Sequence, residues 1–279
     1  MKSKGAEPFV KQSSVASKDG TIIGFKSMGD GPGVIIVPGL LSSSNEFIRF
    51  AEELKETFTV HIMDRRGRGI SGVQGNDYSI RKESEDLTAV REATGASYLF
   101  GHSYGGLIAL ETARASSLFT KIAVYEPGVS INESIPISWL PPYEKAMIDN
   151  DALKAFAVFV KATAPVKSAR YAPLWYLKFF LRLMRKHWEK MEGQLWENLN
   201  EYREIGRLDS SYENYGTINA STLLIAGEKS AVAVNTVNAL GGTLADAKVH
   251  IIPKLGHFAP MNDHSPAAVA QHVKLHFIS

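Results

Sequence analysis

A serine lies between glycines in the segment Gly101–Gly106, which reads Gly-His-Ser-Tyr-Gly-Gly. An apolar run, Ser97–Phe100, precedes it, and a predicted helix rich in small residues, Leu107–Arg114, follows it. A G-x-S-x-G pattern between a strand and a helix predicts a sharp turn, the nucleophile elbow, which exposes the serine hydroxyl. Five-residue patterns of this kind also occur by chance in Gly/Ser loops, so the strand before and the helix after are what favour Ser103 as a nucleophile.

A serine hydroxyl is a weak nucleophile near neutral pH and needs a general base, most often a histidine that a carboxylate orients. His257 is the strongest candidate among the eight histidines, because it follows the last predicted strand and would share a sheet edge with Ser103. An ordinary surface position is the alternative interpretation of His257. His264 and His102 are the other candidates. We expect His102 to be a packing residue near the site, because the elbow directs adjacent side chains apart.

The elements that must position these residues alternate along the chain. Polar-alternating segments around Lys18–Gly20 predict an opening hairpin, since Asp-Gly favours a tight turn. After it, continuous apolar runs alternate with amphipathic helical segments, which indicates a parallel sheet covered on both faces. Ligands of such a sheet bind at the carboxyl ends of its strands. The predicted strands after the hairpin are residues 34–37, 59–63, 97–100, 121–125, 221–226 and 248–252.

Residues 128–215 interrupt this alternation and contain no convincing strand. Apolar spacing predicts a helix over about 151–162 and one long helix from Leu174 to Leu195. We therefore predict a core of residues 1–127 and 216–279 with an inserted helical cap, 128–215. The cap aromatics either pack the cap onto the core or line a substrate pocket, since pockets are largely apolar and aromatic. All four tryptophans lie in this segment: Trp139, Trp175, Trp188 and Trp196.

Over nearly its whole length the chain resembles serine hydrolases of the α/β-hydrolase fold. The elbow and a later Gly-His pair, in the correct order, are the most specific features. The resemblance implies an α/β fold with a mostly parallel, eight-stranded sheet, helices on both faces and an inserted helical cap. The further matching segments are Val37–Leu40, Asp64–Ser71, Tyr125–Pro127, Ala226–Lys229 and Gly256–His257.

The resemblance also implies an oxyanion hole, a pair of backbone N–H donors for the negatively charged oxygen of the transition state. One N–H follows the nucleophile and the other lies after the third strand, which here are those of Tyr104 and Leu40. The Asp64–Ser71 loop lacks the Gly-Lys-Ser/Thr of a phosphate-binding loop. By resemblance that loop is structural.

The triad carboxylate departs from the commonest pattern of these hydrolases. There an aspartate stands three residues after the glycine that ends strand seven, and here that position is Ser230. The resemblance implies Glu126, at the end of the sixth strand, because some of these hydrolases have their acid there and the order Ser, Glu, His is kept. We expect Pro127 to hold Glu126 in extended backbone. Glu228 is the alternative acid, and a structural salt bridge is the alternative role of Glu126.

Composition excludes several other classes of function. With 31 basic and 29 acidic residues the formal net charge is +2, so the sequence gives no indication of nucleic-acid binding. The absence of cysteine excludes disulfides and thiolate catalysis, and it fits a reducing compartment, so we expect a cytoplasmic protein. No His-Glu-x-x-His motif, no cysteine cluster and no apolar run of membrane-spanning length are present. Residues 1–10 contain lysines but no apolar h-region, so we expect no secretory signal. We expect no metal, no cofactor and no membrane span.

Together these observations predict a cofactor-free serine hydrolase acting on a small-molecule substrate, a carboxylic ester that is small to medium in size and apolar. Ser103 would form an acyl-enzyme, His257 would transfer protons, and Glu126 would orient His257. The same fold and triad could instead perform haloperoxidase, C–C hydrolase, acyltransferase or lyase chemistry, because a fold does not fix a function. A third possibility is a receptor that retains the triad and binds a small ligand beneath the cap.

Overall fold

The computed structural model describes residues 11–164 and 167–279. Residues 1–10, where we expect no secretory signal, lie outside the described residues. Within residues 11–164 and 167–279, eight strands form one sheet in the order β1-β2-β4-β3-β5-β6-β7-β8. Strands β1 and β2 are antiparallel to their neighbours, and β3–β8 are parallel to one another. The strands are β1 Lys11–Ala16, β2 Ile22–Met28, β3 Gly33–Val37, β4 Thr59–Met63, β5 Tyr98–His102, β6 Lys121–Tyr125, β7 Ser221–Gly227 and β8 Ala247–Ile252.

Helices cover both faces of this sheet. The helices α1 (Ile48–Leu54) and α11 (Pro266–Ile278) pack on one face, where Phe50, Leu54 and Phe277 are buried. On the other face lie α2 (Ile80–Thr94), α3 (Tyr104–Ala115) and α10 (Ala231–Thr243). Short 3-10 helices span Ser44–Phe47 and Tyr212–Thr217.

The strand sequences explain this arrangement. In β3, Val34 and Ile36 point to the α1 side while Ile35 and Val37 point to the α2 side, and all four are fully buried. A strand that is apolar at every position suits only a sheet covered on both faces. The predicted fold class, a mostly parallel eight-stranded sheet between two helical layers, is therefore confirmed.

The helices between β6 and β7 differ from the prediction in one respect. The single long helix predicted from Leu174 to Leu195 is wrong, because the chain leaves helical geometry at Met184 and again at Gln194. At the break, the Trp188 indole N–H donates to the Leu181 carbonyl at 2.8 Å. Leu181 is in the last turn of α7, where backbone carbonyls have no partner within the helix. The helices are α4 Leu140–Ile148, α5 Ala152–Thr163, α6 Lys167–Tyr171, α7 Leu174–Leu183, α8 Arg185–Glu192 and α9 Leu195–Arg207.

The bounds of a separate cap at residues 128 and 215 stay a prediction. None of the helices within residues 11–164 and 167–279 combines the length and the apolar character needed to cross a membrane.

Candidate active site

The carboxyl ends of four neighbouring parallel strands bring the predicted site residues to one edge of the sheet. In the sheet register His102 of β5 lies beside Tyr125 of β6, and Tyr125 lies beside Ile225 of β7. Ser103 and Glu126 are the next residues after the first two of these strands. His257 lies in the loop after β8, the strand that pairs with β7.

Ser103 lies on a strained turn between β5 and α3. Its φ of 54° and ψ of −121° are unfavourable for a residue with a side chain. Glycines make the turn possible: a Cβ on Gly101 would lie 2.5 Å from the Gly105 carbonyl oxygen, and one on Gly105 would lie 2.6 Å from the Pro38 carbonyl oxygen. Neither position can accept a side chain without a shift of the backbone. The local structure is thus the predicted elbow.

A continuous chain of hydrogen bonds joins the three predicted triad residues. The Ser103 Oγ lies 3.1 Å from His257 Nε2, and His257 Nδ1 lies 2.7 Å from Glu126 Oε2. The Glu126 side chain is 2% exposed and that of His257 is 39% exposed. Because an ionised carboxylate only accepts hydrogen bonds, Nδ1 must hold the hydrogen, which leaves the lone pair of Nε2 for the serine hydroxyl. This arrangement can remove a proton from Ser103.

The backbone of Glu126 corrects one expectation. The sequence predicts that Pro127 holds Glu126 in extended backbone, but the φ of Glu126 is 46°, in the left-handed region. Two hydrogen bonds fix it there: its N–H donates to the Ile225 carbonyl at 2.8 Å, and its Oε1 accepts the Gly227 N–H at 2.9 Å. The end of β7 therefore orients the carboxylate. Strained backbone of this kind is held only where the surroundings over-determine it.

The alternative acid, Glu228, points to a different partner. It is exposed, and its Oε2 accepts the Lys254 N–H at 2.9 Å. Ser230 lies at the start of α10, where its N–H donates to the Gly227 carbonyl at 3.0 Å. Of the two glutamates, only Glu126 contacts His257.

His102 contacts the site more closely than a packing residue would. Its Nε2 lies 2.8 Å from the backbone carbonyl of His257, so Nε2 holds the hydrogen and fixes the His257 loop to β5. Burial, together with the neighbouring His257, lowers the pKa of His102 to about 3. The ring is therefore neutral at ordinary pH. Tyr125 supports the same loop, because its hydroxyl donates to the Gly256 carbonyl at 2.9 Å. No sequence pattern signals either contact.

The Gly39–Leu40 peptide, which holds one N–H of the predicted oxyanion hole, has a fixed orientation. Its carbonyl accepts from Arg65 Nη1 at 2.9 Å and from the Ser42 hydroxyl at 3.1 Å. In a trans peptide the N–H points opposite to the carbonyl, so these contacts fix the direction of the Leu40 N–H. Within the described residues that N–H has no protein acceptor. Tyr104 begins α3, so its N–H has no intrahelical acceptor either.

The arginine that holds this peptide belongs to a buried ionic cluster. Arg65 Nη2 lies 2.8 Å from Glu83 Oε1 and also pairs with Glu201, a residue of α9. Arg68 Nη2 pairs with the same Glu201 at 2.9 Å. All four side chains are fully buried. The guanidinium of Arg65 also lies 4.8 Å from the centre of the Tyr104 ring. The cluster thus links α9 to both backbone segments of the candidate oxyanion hole.

The loop after β4 also has structural contacts of its own. Asp64 accepts the Ser44 N–H at 2.7 Å and the Ile70 N–H at 3.1 Å. Arg66 pairs with the buried Asp86 at 2.7 Å. These contacts agree with the structural role that the resemblance implies for residues 64–71.

The four tryptophans divide into two kinds. Trp139 packs against Tyr143 and Tyr202, and Trp188 stacks on Phe156 at 4.9 Å between ring centres. Both indoles are buried and serve as packing residues. Trp175 and Trp196 are exposed. That tryptophans line a substrate pocket stays a prediction.

The fold described above, an eight-stranded, mostly parallel sheet between two helical layers, is that of the α/β hydrolases. The sequence matches the model of the alpha/beta hydrolase family over residues 34–272, and the chain belongs to this family. The predicted family resemblance is therefore confirmed.

Several known proteins are similar to this chain. The structure of an alpha/beta hydrolase from Sphaerobacter thermophilus matches 95% of this chain and 100% of that chain, with a TM-score of 0.80 and 27% sequence identity. A thermophilic esterase from Thermogutta terrifontis shares the fold, with a TM-score of 0.67 and 19% identity over 95% of this chain and 97% of that one. The N-formylmaleamate deformylase of Pseudomonas putida is 31% identical over 106 residues, which are 37% of this chain and 40% of the deformylase. The match thus spans less than half the length of that curated relative.

Proposed function

We propose that this protein is a serine hydrolase that cleaves carboxylic esters of small to medium, apolar substrates without a cofactor. The observation that supports this most strongly is the hydrogen-bonded chain from Ser103 Oγ through His257 to Glu126, with distances of 3.1 and 2.7 Å. A serine, a histidine base and a buried carboxylate in this order activate the serine for attack on a carbonyl carbon.

In the proposed reaction the Ser103 Oγ attacks the ester carbonyl while His257 Nε2 takes its proton. The negative charge that develops on the carbonyl oxygen is stabilised by the N–H groups of Leu40 and Tyr104. His257 then donates the proton to the alcohol oxygen as the C–O bond breaks, and an acyl-enzyme remains. Water repeats the sequence on the acyl carbon, with His257 as base, and releases the acid and free Ser103.

A second candidate is cleavage of an N-formyl amide. It is favoured by the 31% identity to N-formylmaleamate deformylase over 106 residues. The same triad serves both reactions, since they differ in the leaving group: an alcohol in one and a nitrogen in the other.

A substrate panel separates these candidates. Nitrophenyl esters of increasing acyl length and an N-formyl amide are compared with the wild type, with Ser103→Ala and with a matched control, Ser84→Ala. Ser84 lies in α2, and its hydroxyl donates to the Ile80 carbonyl at 3.2 Å, one turn earlier in the same helix, so its loss should leave turnover unchanged.

We expect the wild type and Ser84→Ala to cleave short and medium esters, and Ser103→Ala to lose turnover by about a million-fold. Cleavage of the amide alone would overturn the ester assignment in favour of the second candidate. Ester turnover that survives in Ser103→Ala would contradict both.

A further inference from the structure

One stretch of the chain has a charge unlike that of the whole. The complete sequence is nearly balanced, at +2, but residues 152–188 contain no acidic residue and eight basic ones. Such a local excess of positive charge predicts attraction to an anionic partner. The eight are Lys154, Lys161, Lys167, Arg170, Lys178, Arg182, Arg185 and Lys186.

Within this stretch α7 exposes a large apolar surface. Its inner side packs in the protein interior, where Leu177 and Leu181 are buried. Its outer side holds Trp175, Phe179 and Leu183 at steps of four residues, with exposed fractions of 72%, 60% and 71%. We call the exposed set, with Tyr176 and Phe180 beside it, the α7 aromatic face. Contiguous apolar surface of this kind on a protein marks an interaction site.

Exposed cations lie at both ends of this face. Arg170 precedes it, and Arg182 and Lys186 lie at its carboxyl end. Within residues 11–164 and 167–279, no carboxylate lies within 4.0 Å of these three side chains. By contrast, Lys178 pairs with Asp151 at 2.8 Å and Arg185 pairs with Glu192 at 3.3 Å.

A groove lies against the same helix, with Lys178 and Arg182 of α7 in its wall. Its volume is about 330 Å³, and Arg182, Arg185, Lys178 and Trp188 contribute to its walls together with Asp151 and Glu192. Three cations against two carboxylates leave the groove with a net positive charge. A phosphate group of a lipid suits such a position, because guanidinium groups bind phosphate well.

We propose that the α7 aromatic face docks on a membrane surface that contains anionic lipid. Tryptophan and tyrosine favour the interface between water and lipid, because one part of each ring system is apolar and the other is polar. A helix with aromatic residues on one side and cations around them lies in the plane of that interface, its apolar side about 5–10 Å deep. The arginines and lysines reach the headgroups through their long stems.

The charges favour a lipid surface over a second copy of this chain. A twofold symmetric dimer through this face would bring the cations of one copy close to those of the other, since such an interface uses the same surface on both copies. Like charges placed together across an interface are costly. An anionic bilayer instead complements the cations and buries the aromatic side chains. The docking does not require Ser103, so it stands apart from the proposed hydrolytic activity.

The test measures co-sedimentation with vesicles of phosphatidylcholine alone and of an equal mixture of phosphatidylcholine and phosphatidylserine. The variants are Trp175→Ala/Phe179→Ala, for the aromatic contacts, and Arg182→Gln/Lys186→Gln, for the charges. Matched controls are Trp196→Ala, an exposed tryptophan of α9, and Arg81→Gln, an exposed arginine of α2. Ser103→Ala tests independence from catalysis, and thermal unfolding confirms that each variant folds.

We expect the wild type, Ser103→Ala and both controls to bind the mixed vesicles, and added salt to release them. The charge variant should bind roughly twenty-fold more weakly, about five-fold for each cation removed. The aromatic variant should lose at least about ten-fold, since it removes two large apolar side chains. Failure of the wild type to bind, or equal binding by all variants, would overturn the proposal. A dimer in sedimentation equilibrium that Trp175→Ala/Phe179→Ala disrupts, without vesicle binding, would instead assign the face to self-association.

Discussion

Replacing Glu126 with glutamine tests how the triad is oriented. Oε1 of Glu126 accepts the Gly227 N–H at 2.9 Å, and a glutamine would keep its carbonyl oxygen there. Its amide NH₂ would then occupy the position of Oε2, which lies 2.7 Å from His257 Nδ1. An NH₂ group donates, so Nδ1 would have to accept and Nε2 would hold the hydrogen. In that tautomer His257 cannot take the proton of Ser103.

The expected loss is large because two effects combine. The imidazole would hold the wrong tautomer, and the imidazolium that forms during attack would lose its negative partner, which is almost wholly buried. An amide in place of a triad carboxylate costs about ten-thousand-fold in turnover. This corresponds to about 5 kcal/mol of transition-state stabilisation.

Glu228→Gln is the matched control. Glu228 is exposed and accepts the Lys254 N–H at 2.9 Å, a bond that the amide oxygen of glutamine can also accept. The turnover of Glu228→Gln should stay close to that of the wild type.

The assay compares the kcat of the two variants on the ester that the wild type cleaves fastest, with folding checked separately by thermal unfolding. The reasoning would be refuted by a large loss in Glu228→Gln beside near-normal turnover in Glu126→Gln. That result would make Glu228, which follows β7, the triad acid.

Two further predictions concern the supports of the site. His102 titrates near 6.5 when unfolded and near 3 when folded, so the stability that it contributes is full above pH 6.5 and is lost as the pH falls toward 3. We measure unfolding free energies in urea at pH 7 and pH 5. Between these pH values the wild type should lose about 2 kcal/mol more unfolding free energy than His102→Gln does. Equal losses in the two proteins would contradict this. Glu201→Ala leaves two buried guanidinium groups with one carboxylate fewer and should cost about 3–5 kcal/mol of unfolding free energy. The control is Glu144→Ala, which breaks a 2.6 Å pair between the half-buried Glu144 and the exposed Arg203 and should cost under about 1 kcal/mol. Similar losses of unfolding free energy in both variants would show that the buried cluster stabilises the fold no more than a surface ion pair does.

Much of the core could be predicted because its signals are local. The strand Thr59–Met63 and the strand Lys121–Tyr125 have the predicted bounds, since each is a short, mostly apolar segment with β-branched residues. Gly95 ends α2 with a φ of 68°, as a glycine at that position predicts. The elbow at Ser103 is equally local, because glycines on both sides are required by close backbone contacts.

What could not be predicted depends on contacts between distant parts of the chain. The break at Met184 leaves the three- and four-residue apolar spacing intact, so periodicity alone gave one helix where the structure has more. The positive φ of Glu126 is set by hydrogen bonds to β7, a hundred residues further along the chain, and outweighs the local preference of a residue before proline. The pairing of Arg65 with Glu201 likewise joins residues that no sequence pattern relates.

The most direct test of the central claim is labelling with a fluorophosphonate, followed by intact mass spectrometry. Such a probe reacts with a serine only when a neighbouring base activates it, as the 3.1 Å contact between Ser103 Oγ and His257 Nε2 would allow. We predict one adduct on the wild-type protein, located on Ser103, and none on folded Ser103→Ala. An adduct on another residue, or an unlabelled wild type, would contradict the assignment of Ser103 as the nucleophile.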